Sequence, residues 1–216
     1  MKKIITYIFS SLFIFTLASA EIGVNIGISG NLGAFTATGT ETEADEKNKE
    51  DAVAAAGWGS IFIEKTLGDR FTIGIDYVPS ALESETSETA RRDKTTTDAQ
   101  TVQTNKVQVD FTDLTTVYVA LNLTDALYVK AGALSVDVET NETLGTGSQY
   151  GNTNLDGSVI GIGFNNNYDN GMFVRIEGNY MDFDGASLTS STNSANKISI
   201  DDLQGVSAKL SLGKSF

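Results

Sequence analysis

The sequence predicts an all-β chain folded as one eight-stranded antiparallel up-and-down transmembrane β-barrel. Three observations carry that prediction. The first 20 residues read as an export segment. The remainder holds eight stretches in which apolar and small polar residues alternate. The connections between those stretches alternate between short turns and long polar loops.

The chain begins MKKIITYIFSSLFIFTLASA. Lys2 and Lys3 form a positive head, residues 4–17 are mostly apolar, and Ala18-Ser19-Ala20 supplies small residues for cleavage, the pattern of a signal peptide. The apolar stretch is short for a bilayer-spanning helix, which needs about 20 residues. Residues 1–20 are therefore expected to be cleaved after Ala20, leaving 21–216 as one barrel domain. Glu21, not Cys, follows the cut, which excludes lipid attachment there.

The first strand opens on Ile22, Val24, Ile26 and Ile28, with Gly23, Asn25, Gly27 and Ser29 on the other parity, and runs on through Leu32 and Ala34. A period of two gives a strand two unlike faces. The second holds Ile61 and Ile63 against Ser60 and Glu64. The third sets Phe71, Ile73, Ile75 and Tyr77 against Thr72, Gly74 and Asp76. Val117, Val119, Leu121 and Leu123 make the fourth, and Leu127, Val129 and Ala131 the fifth. Ile160, Ile162 and Phe164 make the sixth, and Met172, Val174 and Ile176 the seventh. The eighth runs Val206, Ala208, Leu210 and Leu212 to Phe216.

Short turns are expected at Leu67-Gly68-Asp69-Arg70, near Thr124-Asp125, and across 166–171, all with the Gly, Asn or Asp that tight turns use. Long loops are expected through 38–51, 79–104, 140–154 and 184–197.

Alternation alone fits a soluble barrel with an apolar interior as well as a membrane barrel. Two features favour the membrane. The polar parity is mostly Gly, Ser, Asn and Thr, which suits a narrow lumen better than a solvent-facing surface. The apolar parity carries aliphatics in mid-strand and aromatics at the ends: Phe71, Phe164 and Phe216 near the short turns, Tyr77 and Tyr180 near the loops, like two interfacial girdles. Asp113 shares the parity of Val117 and Val119. It is expected at the upper interface, opposite residue 136, where both strands lose their lipid register or carry a bulge.

A cleavable signal, eight alternating strands and a terminal Phe216 closing an alternating strand resemble the small outer-membrane β-barrel proteins of Gram-negative bacteria, of the OmpA-barrel, OmpX, OmpW and opacity-protein type. The resemblance implies an outer-membrane location and partners in outer-membrane lipid, lipopolysaccharide and the barrel-assembly machinery. It assigns Phe216, with Leu212 and Leu210 on the same face, to the assembly signal. Lys214 departs from the usual apolar residue there and would snorkel to the interface.

By parity, Glu64, Asp76, Asp110, Lys130, Arg175, Glu177 and Lys209 point inward. Eight strands enclose only the space that side chains fill. These charges are therefore read as a hydrogen-bonded polar plug, with a narrow conduit for ions or small polar solutes as the alternative. The chain carries 28 acids against 15 bases, for a net charge of −13, so nucleic acid is not an expected partner. Residues 41–51 hold six acids and two bases. They read as a solvated acidic loop, or one bridged by divalent cations to lipopolysaccharide phosphates or meeting a basic partner. Asp182-Phe183-Asp184-Gly185 lacks the ligand series of a calcium loop and reads as a strand end and turn. Arg91-Arg92, in the 79–104 loop, reads as a paired solvated cation, with a protease site as the alternative.

With no His and no Cys, thiol chemistry and His-based catalysis are absent, and no enzyme, cofactor or metal site is expected. The leading role is structural or one of surface interaction through acidic loops, carried by a monomer. A porin-like channel is the alternative, and a soluble periplasmic ligand-binding barrel comes third.

Overall fold

The computed structural model describes residues 23–43, 46–84, 86–94 and 100–216. The signal segment 1–20 and the loop residues Ala44 and Asp45 lie outside the described residues.

Among the described residues, eleven strands form one antiparallel sheet: β1 (Val24–Glu43), β2 (Glu46–Leu67), β3 (Phe71–Tyr77), β4 (Leu82–Glu83), β5 (Ser87–Lys94), β6 (Gln100–Asn122), β7 (Leu127–Thr143), β8 (Thr153–Asn167), β9 (Met172–Phe183), β10 (Ala186–Thr189) and β11 (Lys197–Ser215). The hydrogen-bonded order β1-β2-β3-β6-β7-β8-β9-β11 closes on itself where β1 pairs β11, from Asn25↔Ser215 to Thr42↔Lys197. The ring therefore has eight staves. The short strands β4 and β5 extend the line of β3 along β6, and β10 extends β9 along β11.

The three short turns close one rim. Gly68 and Gly171 take left-handed conformations with φ of 64° and 81°, which glycine adopts without a Cβ clash. In the middle turn the Thr124 hydroxyl accepts the backbone N–H groups of Ala126 and Leu127.

At the opposite rim the wall is longer than expected. Most of 38–51 is a paired hairpin rather than a loop: β1 and β2 stay in register up to Glu43↔Glu46. Likewise β6 begins at Gln100 and β7 ends at Thr143, and Arg91 and Arg92 fall within β5. These extensions are polar on the outer face, as in Thr36, Thr38, Thr40 and Thr42 of β1, and carry only scattered apolar residues such as Phe35 and Ala37 inward, so their hydropathy contrast is weak. Their threonines are nonetheless good strand formers.

The outer face of the lower wall is the apolar one, with Ile28, Leu32, Ile160, Phe164, Ile176 and Leu210 exposed. Phe216 is exposed at the short-turn rim, with the Lys214 ammonium 5.5 Å from its ring centroid. Asp113 sits at a bulge where the β6–β7 register shifts between Thr112↔Asp137 and Thr115↔Ser135. It has φ of 55°, and the Tyr77 hydroxyl donates to its Oδ1 at 2.7 Å.

The interior has two storeys. Below, it is lined by polar and aromatic side chains. Above lies an apolar cluster built on Trp58, Val78, Leu114, Leu134, Val136, Leu155, Met181, Phe183 and Leu203. On β7 the even positions face inward throughout, from Tyr128 and Lys130 up to Leu134, Val136 and Val138. What changes along that strand is the chemistry of the interior, not the direction of its side chains.

Candidate functional site in the lumen

Strand geometry puts side chains two residues apart on one face, so a stave of the lower barrel can offer up to three groups to the lumen. Glu64 and Phe62 come from β2, and Gly74 and Asp76 from β3. Tyr118 comes from β6, Tyr128 and Lys130 from β7, Phe173, Arg175 and Glu177 from β9, and Lys209 and Ser211 from β11.

Six of the seven predicted charges meet there as three ion pairs: Lys130 with Glu177, Arg175 with Glu64, and Lys209 with Asp76. Glu64 has 2% of its surface exposed. Besides Arg175, it accepts the Tyr118 hydroxyl at 2.6 Å and the Asn25 amide at 3.0 Å. Glu177 accepts the Tyr128 hydroxyl at 2.7 Å on the oxygen that Lys130 leaves free. Asp76 also accepts the Ser60 hydroxyl at 3.2 Å. Every carboxylate is thus both charge-paired and hydrogen-bonded, the arrangement under which a buried ion pair recovers its desolvation cost.

Asp110 is the exception. Parity counted from the lower strand directs it inward, but the bulge at Asp113 inserts an extra residue and reverses the faces above it. Val109 and Phe111 pack against the apolar cluster. Asp110 therefore lies on the outer side, accepting the Gln108 amide at 3.1 Å and the Asn141 amide at 2.9 Å.

Four aromatic residues that sequence reasoning passed over complete the layer: Phe62, Tyr118, Tyr128 and Phe173. The Arg175 guanidinium lies 4.4 Å from the Phe173 ring centroid and 5.7 Å from that of Tyr128. The Lys130 ammonium lies 5.0 Å from the centroid of Tyr118. These are cation–π distances. Two glycines make room for the rings. A Cβ on Gly213 would stand 2.2 Å from Cζ of Phe173, and one on Gly74 2.4 Å from Cζ of Tyr118. The signal was present in the sequence, as aromatic residues on the same parity as the lumen charges with glycines on the neighbouring staves.

Below this layer a cavity of about 350 Å³ opens at the short-turn rim, lined by Asn25, Glu64, Tyr118, Tyr128, Asn165 and Arg175 among others. Above it the apolar cluster fills the barrel, with Leu134 and Leu155 each 1% exposed. Charged groups thus form a stacked floor between a shallow cup and an apolar ceiling, and no side chain among them is placed as a nucleophile–base pair.

No family model matches this chain, and no curated protein matches it. Its fold does have solved counterparts. The outer membrane protein OprG of Pseudomonas aeruginosa aligns over 90% of this chain and 96% of its own, with a TM-score of 0.54 and 13% identity. The outer membrane protein AlkL, solved in lipid bilayers, aligns over 94% and 95%, with a TM-score of 0.52 and 10% identity. The outer membrane protease OmpT of Escherichia coli covers 94% and 99%, at 0.54 and 10%. The chain has the all-β fold of the Gram-negative outer-membrane β-barrels, a closed antiparallel up-and-down barrel. At these identities the likeness concerns the fold alone.

Proposed function

We propose that this protein is a closed outer-membrane barrel with a structural and surface-contact role, its lower wall set in lipid and its strand extensions and acidic loops facing outward. The observation that carries this reading is the filled interior. A solute crossing the barrel would have to open three ion pairs and then displace the apolar cluster around Trp58, Leu134 and Leu155. Leaving even one buried charge unpaired costs about 3–5 kcal/mol. The exposed apolar belt supports lipid rather than water around the lower wall, which weighs against a soluble ligand-binding barrel.

Outer-membrane lipid and lipopolysaccharide are the partners that belt implies. Phe216, Leu212 and Leu210 stand on its exposed face, as an assembly signal read by the barrel-assembly machinery requires. Enzymatic turnover is not part of the reading, since the chain has no histidine to serve as a general base. The cup at the short-turn rim favours one second reading, a narrow conduit for ions or small polar solutes that opens when the floor rearranges.

Liposome swelling tests the choice. Vesicles carrying the refolded protein should swell in arabinose no faster than empty vesicles. Faster swelling would overturn the closed reading and establish the conduit.

A further inference from the structure

We propose that the upper edge of β2 is a docking site for an extended, cationic polypeptide strand, which joins the sheet by backbone hydrogen bonding. The inference rests on the surface-contact reading above and names the partner's chemistry.

β2 is 22 residues long, yet its pairing with β3 runs only from Leu67↔Phe71 to Ile61↔Tyr77. Just beyond, Pro79 has no N–H to offer. The chain there leaves β2 and follows β6: Val78 N–H donates to the Leu114 carbonyl at 3.0 Å, and Leu82 pairs Phe111. Residues 46–60 of β2 therefore keep β1 on one side and, among the described residues, no strand on the other.

Ladder parity says which groups face that open side. Val24 and Phe216 exchange both backbone bonds, at 3.2 and 2.9 Å, so even residues of β1 bond β11 and odd residues bond β2. The bond from Thr66 N–H to the Gly23 carbonyl agrees. The odd residues of β1 pair even residues of β2, as in Phe35↔Ala54 and Ala37↔Ala52. It follows that Lys49, Asp51, Val53, Ala55 and Gly57 turn their N–H and C=O groups to the open edge.

Natural proteins blunt such edges with charge, proline or a bulge. Residues 52–60, AVAAAGWGS, contain no charge and no proline, and β2 runs against β1 without a register shift. Val53 is 80% exposed. A row of alternating donors and acceptors at strand spacing is matched by another extended backbone. The small side chains at Val53, Ala55 and Gly57 leave room for larger ones on that strand. Charge selects the partner. Residues 41–51 carry six acids and two bases, which repels a second copy of this chain and draws a cationic strand.

The test uses the full barrel in lipid nanodiscs and the peptide KVTVKVTVK, with EVTVEVTVE as its acidic counterpart, read by backbone hydrogen exchange. The cationic peptide should slow exchange at Val53, Ala55 and Gly57 and leave Ala54 and Ala56, already bonded to β1, unchanged. The acidic peptide should do neither. Ala55→Pro removes one edge donor without touching the β1 ladder, and should weaken peptide binding about tenfold. A second variant, Val53→Lys with Ala55→Lys, keeps every backbone donor and should weaken it by charge. Peptide binding without protection of the odd amides, or binding by both variants as tight as by the parent, would overturn the edge site while leaving contact through the acidic loops standing. Edge protection by a second copy of the chain, seen without peptide, would overturn the partner assignment. Swelling in arabinose bears on the closed barrel alone.

Discussion

At the scale of single residues, the lumen is defined by groups that cannot be changed one at a time. Glu177→Gln removes the carboxylate with which the Lys130 ammonium is paired in the barrel interior. It should cost about 3–5 kcal/mol of stability, read as a lower urea midpoint for unfolding from vesicles. Gly213→Val should be harmful for a different reason. Its side chain would enter the space of the Phe173 ring, and overpacking of this kind costs about 1–3 kcal/mol.

Glu142 sits at the upper end of β7, paired with Val107 of β6 and beyond the exposed apolar belt. Its Oε1 accepts the Tyr150 N–H, and its Oε2 is buried without a partner. Burial is the larger influence and pushes this carboxyl above the ordinary glutamate value, against the opposing pull of the Tyr150 hydrogen bond. The folded protein therefore holds the proton more tightly than the unfolded chain. Its stability falls as pH rises from the unfolded to the folded value, and the cost is absent at lower pH. The Tyr150 amide resonance should titrate above the ordinary glutamate range, and Glu142→Gln should abolish that titration.

At the scale of elements, what the sequence discloses depends on contrast between faces. β11 was legible because Val206, Leu210 and Leu212 alternate with Gly205, Lys209 and Ser211. Its upper reach and those of β1, β2 and β6 were not, because there the outer face turns polar and the inner face carries only scattered apolar residues such as Phe35, Ala37, Val109, Phe111 and Ile200. The same logic explains the candidate site. Below the bulge, Glu64, Lys130 and Arg175 keep one parity with their strands' other inward residues, and all three are ion-paired in the lumen. Above it, one extra residue sends Asp110 to the outside. Which charge meets which was not legible at all, since Glu64 and Arg175 lie on staves separated by 111 positions and meet only through the curvature of the closed ring.

The bulge itself is testable. Asp113 holds φ of 55°, a region glycine enters freely and β-branched residues do not. Asp113→Gly should leave the melting temperature close to the parent's, whereas Asp113→Val should lower stability by about 1–2 kcal/mol.

At the scale of the whole molecule, the charge and the fold divide the labour. The lower barrel neutralises its charges internally, so its polar interior adds little to the net −13. The loops and extensions supply the rest, giving an acidic head on a neutral stem. The interior changes from paired charges to packed hydrocarbon along one continuous set of strands, and in the proposed function that succession closes the barrel. It also distinguishes this chain from a wide porin, whose lumen is polar and wet from end to end.

Single-channel recording in a planar lipid bilayer tests that closure most directly. With the refolded protein inserted in a simple salt solution, the current should stay at the level of the bare membrane. Discrete, reproducible conductance steps, present with this protein and absent with heat-denatured protein, would contradict it.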